Sequence, residues 1–381
     1  MRTLLFTLEY PPFRGGVANF CASLVKYWPE PDNIFVLHNN GGGLINDKLP
    51  CLKWLPAARR LRQEIKKYKI DHVLAGNILP LGAAALICAK FINIKYSVIL
   101  HGMDLPYALR RKRKKWLAEK ILRQAEKIFC GNSYTAEMVK KFLPVIEHGK
   151  IITVNPGVSH NIQYPISLAS PDLAKPDNIQ LKKKYNLENK IILLSVGRLV
   201  MRKGFDKVIE AMPKVLEKIP NLVYIILGDG GEFGNWKLKI ENLKLEKFIY
   251  IIKQSDDEQR DLWYNISDIF IMPSRNINGD FEGFGIVYLE ANLAGKPVIA
   301  GDSGGVRDAV IDGVNGLLVN PEDTNAIASA IIKLASDSEL RQKLGKQGRE
   351  RAIREFSWGK QIAVIARSVN DEAISRTRPL T

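Results

Sequence analysis

The chain of 381 residues is 46% hydrophobic and 25% charged, enough to bury a large core and, at roughly 100–200 residues per domain, to build two domains. Its 56 Lys+Arg against 40 Asp+Glu give a formal net charge of +16, which excludes an acidic solvating protein and favours an anionic partner: nucleic acid, membrane phosphate or nucleotide. The excess is uneven, 25 basic against 11 acidic side chains (net +14) in residues 1–165 and 31 against 29 (net +2) in 166–381, so the two halves face different partners.

Met1 to Leu8 is largely apolar, but it is too short for a secretory signal, and Glu9, Pro11 and Pro12 end it. From there strands are expected near Thr3–Leu8, Asn33–His38, His72–Ala75, Tyr96–Leu100, Lys127–Cys130 and Ile151–Val154, with helices starting near Gly16, Pro56, Leu79, Leu105 and Tyr134. The longest apolar stretch, Ile78 to Ala89, spans about 12 residues against the roughly 20 a spanning helix requires, so no membrane-crossing segment is expected. Cys21, Cys51, Cys88 and Cys130 lie far apart with no C-x-x-C pair and no zinc spacing, as in a reduced cytoplasmic protein. Ser159 to Asp177, with Pro165, Pro171 and Pro176 among polar residues, reads as a connection.

The rhythm then restarts, with strands expected at Lys190–Val196, Leu222–Leu227, Phe248–Ile252, Ile269–Met272, Pro297–Ala300 and Gly316–Leu318. Strands alternating with helices predict an α/β chain of two doubly wound, Rossmann-like parallel-sheet domains, 1–165 and 166–361, facing a cleft. Ligands in such sheets sit at the carboxyl ends of strands, so the loops after strands are where chemistry belongs.

Four such loops stand out. Glu9-Tyr10-Pro11-Pro12-Phe13-Arg14-Gly15-Gly16 follows the first strand, and paired glycines opening a helix let a ligand approach backbone N–H groups, though a tight turn reads the same way. It is not G-x-G-x-x-G, which argues against an NAD site. His101 closes another strand of the first half, where it could contact a reacting sugar or a shifted proton, although taken alone a structural histidine is the better reading. Arg198 and Lys203, in Gly197-Arg198-Leu199-Val200-Met201-Arg202-Lys203-Gly204, sit after a buried strand where cations would neutralise a departing phosphate, with a pair of ordinary surface charges as the plain alternative.

The fourth is Phe281-Glu282-Gly283-Phe284-Gly285-Ile286-Val287-Tyr288-Leu289-Glu290. A helix expected from about Gly283 would set Glu282 and Glu290 about 12 Å apart, the reach of a sugar-diphosphate-ribose, with the N–H groups of Phe284, Gly285 and Ile286 at its positive end. A helix cap and a solvated glutamate are the plain alternative.

Together with Asn155-Pro156-Gly157-Val158, Leu227-Gly228-Asp229-Gly230, Pro273-Ser274 and Gly304-Gly305, these segments resemble the retaining, nucleotide-sugar-dependent GT-B glycosyltransferases that include bacterial mannosyl- and glucosyltransferases. The resemblance runs over nearly the whole chain and looks most like the enzymes that mannosylate phosphatidylinositol from GDP-mannose. It implies that Arg198 and Lys203 bind the donor diphosphate, Glu282 the donor sugar and Glu290 the ribose. Gly16 would lie against the diphosphate, His101 would line the reaction centre, and the base would rest at Ile251–Gln254. It further implies an acceptor on the first half, with a C-terminal helix, about 362–381, returning to pack on it. UDP-glucose or UDP-N-acetylglucosamine transferases, or a nucleotide-sugar epimerase of the same fold, share most of these residues. No cofactor and no essential metal are expected, because the acidic runs Asp256-Asp257-Glu258 and Asp280-Phe281-Glu282 suit a helix cap and a sugar better than an ion.

Two basic clusters remain. Arg110, Arg111, Lys112, Arg113, Lys114 and Lys115 precede Trp116, Leu117, Ile121, Leu122, Ala125 and Ile128 at helical spacing; Arg59, Arg60, Arg62, Lys66, Lys67 and Lys69 flank an inward Leu61 and Ile65. Cations at a helix N-terminus oppose its dipole, so local stability does not explain the first run. An anionic membrane surface would, each such residue contributing about 1 kcal/mol, with Trp116 at the interface; solvated faces of ordinary sheet-covering helices are the plain alternative. On the membrane reading the protein is expected in the cytoplasm, peripheral on the inner face of the cell membrane, with a lipid-linked or glycan acceptor. Nucleic-acid binding is disfavoured, since no binding module accompanies the patch.

Overall fold

The computed structural model describes residues 1–381 except 14, 47, 49–52, 148, 159–175, 254–256 and 378–381, and the side chains only as far as 370. Arg14, Cys51, Gln254, Asp256 and most of the expected connection therefore lie outside the described residues. The chain divides into two compact units, Met1–Gly157 with Trp358–Thr381, and Val158–Ser357. Both boundaries come earlier than the expected 165 and 361. The reason is local: the Val158 N–H donates to the Phe356 carbonyl at 2.7 Å and Val158 bridges Ser357, which ties the chain to the second unit before the polar connection begins. Trp358 opens the helix Trp358–Thr377 and stacks edge-on against Phe20 of the first unit at 5.7 Å.

The first unit holds a parallel sheet of β1 (Thr3–Thr7), β2 (Ile34–His38), β3 (His72–Ala75), β4 (Lys95–Leu100), β5 (Ile128–Cys130) and β6 (Ile151–Thr153), in the order β2-β1-β3-β4-β5-β6. The second holds β7 (Ile191–Val196), β8 (Leu222–Leu227), β9 (Ile249–Ile252), β10 (Ile269–Met272), β11 (Val298–Gly301) and β12 (Gly316–Val319), in the order β12-β11-β10-β7-β8-β9. Each strand falls within a residue of its expected limits. The runs were legible because helices cover both faces of a parallel sheet, so a strand such as Leu222–Leu227 is buried along its whole length and must be continuously apolar.

Strand order decides where ligands fit. In the second unit the chain runs outward from β7 to β8 and β9, then returns to lay β10 on the other side of β7, which makes β7/β10 the switch point; in the first unit it is β1/β3. β7 and β8 stay in register from Ile191 against Leu222 to Val196 against Leu227, so they end together. The loops that follow are in close contact: a Cβ on Gly228 would lie 1.9 Å from the Gly197 carbonyl oxygen. Only glycine fits there, and it lets the loop after β8 support the one that carries Arg198, whose neighbour Leu199 donates to Asp229 at 2.9 Å.

The basic run is distributed differently from the expectation. It straddles a turn between the helices Asp104–Leu109 and Lys112–Gln124, and Ile128 belongs to β5 rather than to the helical stripe. Ala118, Ile121 and Leu122 face the core, while Arg110–Arg113, Lys115 and Trp116 are exposed. Lys114 instead lies over the Tyr107 ring at 3.7 Å and Lys120 over Trp116 at 3.9 Å, cation–π contacts that hold exposed aromatic rings among cations. All six cations of the helix Leu55–Tyr68 and its cap are exposed too. Cys21, Cys88 and Cys130 are free and buried, and among the described residues no helix is long and apolar enough to cross a membrane.

Candidate functional site

The loop after β7 turns through a short 3-10 segment, Met201–Lys203, that aims Arg202 and Lys203 at the loop after β10. There both meet one oxygen of Glu282, Lys203 Nζ at 2.6 Å and Arg202 Nη1 at 2.5 Å from Oε2. Oε1 of Glu282 accepts no hydrogen bond from the described residues. Arg202 also reaches Asp280 through Nε at 3.3 Å. Lys203 and Glu282 are buried, whereas Arg198 is exposed and pairs with none of the described carboxylates.

Electrostatics keep the carboxylate of this cluster ionised. Burial opposes charge on Glu282, but Lys203 and Arg202 outweigh it and hold the carboxyl down at about 2. Burial lowers the Lys203 ammonium from its ordinary range, Arg202 and Arg198 add to that, and Glu282 counters them. The cluster thus has more positive than negative charge, and the cation left over is on the solvent side.

The helix expected from Gly283 begins at Ile286 instead, with Gly285 as its cap at φ 79°. A Cβ at Gly285 would lie 2.4 Å from the Tyr288 ring, which is fixed by its hydroxyl donating to Met272 O at 2.6 Å. The helical-rise argument therefore covers only Ile286 to Glu290. The first-turn N–H groups belong to Ile286 and Val287 rather than to Phe284 and Gly285, and the Phe284 side chain is core, 5.7 Å from the Phe356 ring. Glu290 is half-buried; it accepts from the Tyr264 hydroxyl at 2.9 Å, and burial raises its carboxyl although Arg260 pulls the other way. Asp257 and Glu258 do stand in the first turn of a helix, Asp257–Ile266.

His101 and Gly16 belong to the first unit. There a cavity of about 270 Å3 opens at the β1/β3 switch point, lined by Thr7, Glu9, Gly76, Asn77, His101 and Asp104 among others. Burial lowers the His101 imidazolium from its ordinary range, while the Asp104 carboxylate and the bond to the Gly76 backbone pull the other way without overcoming it. Its Nε2 has no hydrogen-bond partner, and Phe20 stands edge-on to the ring at 5.2 Å. Asp104 accepts the His101 backbone N–H at 2.6 Å. Gly16 is exposed at the start of its helix, and a Cβ there would touch nothing within 4 Å.

A family model for glycosyl transferases group 1 matches residues 177–351, and one for glycosyltransferase family 4 matches residues 14–161. The chain is a glycosyltransferase whose second half matches the group 1 family. A GDP-mannose-dependent alpha-(1-6)-phosphatidylinositol monomannoside mannosyltransferase of Mycolicibacterium smegmatis is 26% identical to it over 383 residues, covering 95% of this chain and 97% of that one. A GDP-mannose-dependent monoacylated alpha-(1-6)-phosphatidylinositol monomannoside mannosyltransferase of Corynebacterium glutamicum is 28% identical over 390 residues, covering 96% and 98%. Among solved structures, Anabaena HepE in complex with UDP superposes with a TM-score of 0.80 at 20% identity, covering 97% of this chain and all of that one. A glycosyltransferase from Rickettsia africae gives 0.79 at 23%, covering 97% and 98%. The fold is GT-B.

Within this glycosyltransferase the structure gathers Lys203 and Glu282, leaves Arg198 exposed near them, and places Glu290 on the helix that follows. Sequence reading missed Arg202, Asp280 and Tyr264 in the second unit, and Glu9 and Asp104 in the first. Arg202 had a weak signal, its place beside Lys203 in the short turn between a buried strand and a buried helix. Tyr264 had none: its pairing with Glu290 exists only because β10 and the helix after it bring them together.

Proposed function

We propose that the chain is a retaining hexosyltransferase that moves mannose from GDP-mannose to a lipid-linked or cell-envelope acceptor at a membrane surface. The observation that supports it most is the carboxylate of Glu282 held by Arg202 and Lys203 on one oxygen, with the other oxygen unpartnered and the exposed Arg198 nearby, at the β7/β10 switch point. Arg198 and Lys203 take the diphosphate, Oε1 of Glu282 takes a sugar hydroxyl, and Glu290 takes the ribose. Ile286 and Val287 offer helix N-terminal N–H groups to phosphate oxygen, in the region the resemblance gave to Phe284, Gly285 and Ile286. Gly16 and His101, both of the first unit, keep the roles the resemblance implies for them, against the diphosphate and at the reaction centre.

In the step itself the bond from the anomeric carbon to the diphosphate oxygen breaks and one to the acceptor oxygen forms on the same face. The acceptor's proton passes to the departing diphosphate, whose charge the cations neutralise in a partly dry site. No divalent ion is needed for that neutralisation, because Asp280 and Glu282 are already engaged by Arg202 and Lys203. The GDP-mannose-dependent relatives of Mycolicibacterium smegmatis and Corynebacterium glutamicum favour GDP-mannose, while the UDP complex of HepE keeps a UDP-sugar as the second reading.

The test is transfer from radiolabelled GDP-mannose, UDP-glucose and UDP-N-acetylglucosamine to a bacterial membrane extract, with and without chelator. Label from GDP-mannose should enter the lipid extract in α linkage and persist in chelator. Use of a UDP-sugar alone would overturn the donor, a β product the retaining step, and loss in chelator reversed by metal the metal-free site. Free sugar released without acceptor would indicate an epimerase.

For the surface, Arg110–Arg113, Lys115 and Trp116 are exposed together, as attraction to anionic headgroups requires. The full chain should float with vesicles containing phosphatidylglycerol, and a variant with Glu at 110–113 and 115 should lose at least about tenfold of that binding at physiological salt. Equal flotation of the two proteins would remove the membrane from this account.

A further inference from the structure

We infer that Arg202 is a positioning residue for the donor sugar: it clamps the carboxylate of Glu282 in one orientation and leaves Oε1 for a sugar hydroxyl. The inference rests on the reading of Glu282 as the sugar-binding carboxylate. Arg202 is held at three points. Its Nη1 bonds Glu282 Oε2 at 2.5 Å, its Nε lies 3.3 Å from Asp280 Oδ1, and its carbonyl accepts the Arg275 N–H at 2.8 Å. Arg275 is itself buried and paired with Asp206 at 2.8 Å, which fastens the loop after β10 to the helix that follows Lys203.

A guanidinium engaged at Nε and Nη1 by two different carboxylates is poorly placed to follow a phosphate. Arg198, exposed and unpaired with any described carboxylate, is well placed. The planar fork is what allows the double engagement; an ammonium is a point charge and spans Asp280 and Glu282 less well. Lys203 alone, meeting the same Oε2, would fix that oxygen but leave the carboxylate free to rotate about it. The second cation removes that freedom, and a hydroxyl acceptor fixed before the donor arrives costs less to order.

Calorimetric titration of the full chain with GDP and with GDP-mannose separates the two parts of the donor. For the wild type, GDP-mannose should bind more tightly than GDP. In Arg202→Gln the affinity for GDP should stay within about threefold, while the gain contributed by mannose falls about tenfold, the size of one lost hydrogen bond to a charged group. Arg202→Lys should recover part of that gain, and Asp280→Asn, a half-exposed position that tolerates change, should show a smaller loss of the same kind. Arg198→Ala should do the opposite, weakening GDP and keeping the gain. If Arg202→Gln weakens GDP as Arg198→Ala does and keeps the mannose gain, Arg202 is a phosphate ligand and the inference fails. It fails too if Arg202→Gln and Asp280→Asn both leave the gain intact. If the wild type gains nothing from the sugar with GDP-, UDP- or ADP-sugars, the sugar-site reading itself falls, which is visible without any variant. Should only a UDP-sugar show a gain, the same comparison runs on UDP and that sugar.

Discussion

Lys203→Ala should lower kcat/KM about 10^2–10^3-fold, and it should lower the melting temperature as well. The rate effect follows from removing one preorganised cation at the place where charge develops on the leaving diphosphate. The stability effect has a separate origin. Lys203 is buried against Glu282, and deleting one partner of a buried pair leaves the other uncompensated, typically at about 3–5 kcal/mol. Here the lower end applies, because Arg202 stays on the same oxygen. Arg198→Ala provides the contrast: the side chain is exposed and its loss should weaken donor binding with no measurable change in melting. Initial rates and thermal denaturation of the two variants decide the matter, and turnover within a few-fold of wild type for Lys203→Ala would remove these cations from the donor site.

Glu282→Gln should have the second large effect, and its dependence on pH identifies the cause. The Glu282 carboxyl is held at about 2 in the folded chain against an ordinary 4.5. A depressed carboxylate pKa contributes stability that is fully present above 4.5 and disappears as pH falls through 2. At 1.36 kcal/mol per unit this amounts to about 3 kcal/mol at pH 7. The isosteric amide lacks it, so wild type and variant should differ by about that much in urea unfolding at pH 7 and by less than half of it at pH 3. A difference that stays constant over that range would show that the carboxylate is not held by its two cations. Turnover of the variant should fall at least about 10^2-fold, since the amide neither anchors Arg202 and Lys203 nor accepts the sugar hydroxyl as a charged group.

Most of the architecture was readable along the chain, for a reason visible in strands such as β7 and β8. Each is buried on both faces, so its apolar run is continuous and its limits are set by the glycine or polar residue that follows. The helix after Glu282 was less readable. Two glycines at 283 and 285 are both acceptable before a helix, and Tyr288 chooses between them: its ring, anchored to Met272, occupies the space that a side chain at 285 would need. The same limit applies to Trp116, which sits at helical spacing with Ile121 and Leu122 yet is exposed with Lys120 over its ring. Spacing gives the helix, but the position of the neighbouring sheet decides which residues of a broad stripe are covered.

By itself the sequence determined two α/β units, the uneven division of a +16 charge between their parts of the chain, and the short loops in which charged side chains follow buried strands. These are local properties, written in runs of a few residues by burial, turn chemistry and charge. Only the tertiary structure decided which charges meet. Arg202 and Glu282 stand 80 residues apart, and so do the loops they define; they pair because β10 returns to lie beside β7. That return leaves Arg198, the cation the sequence singled out first, exposed, and gives Arg202 to the carboxylate. The composition of a site in a doubly wound sheet follows from strand order, and no stretch of residues around Arg202 contains the information that Glu282 will be its partner.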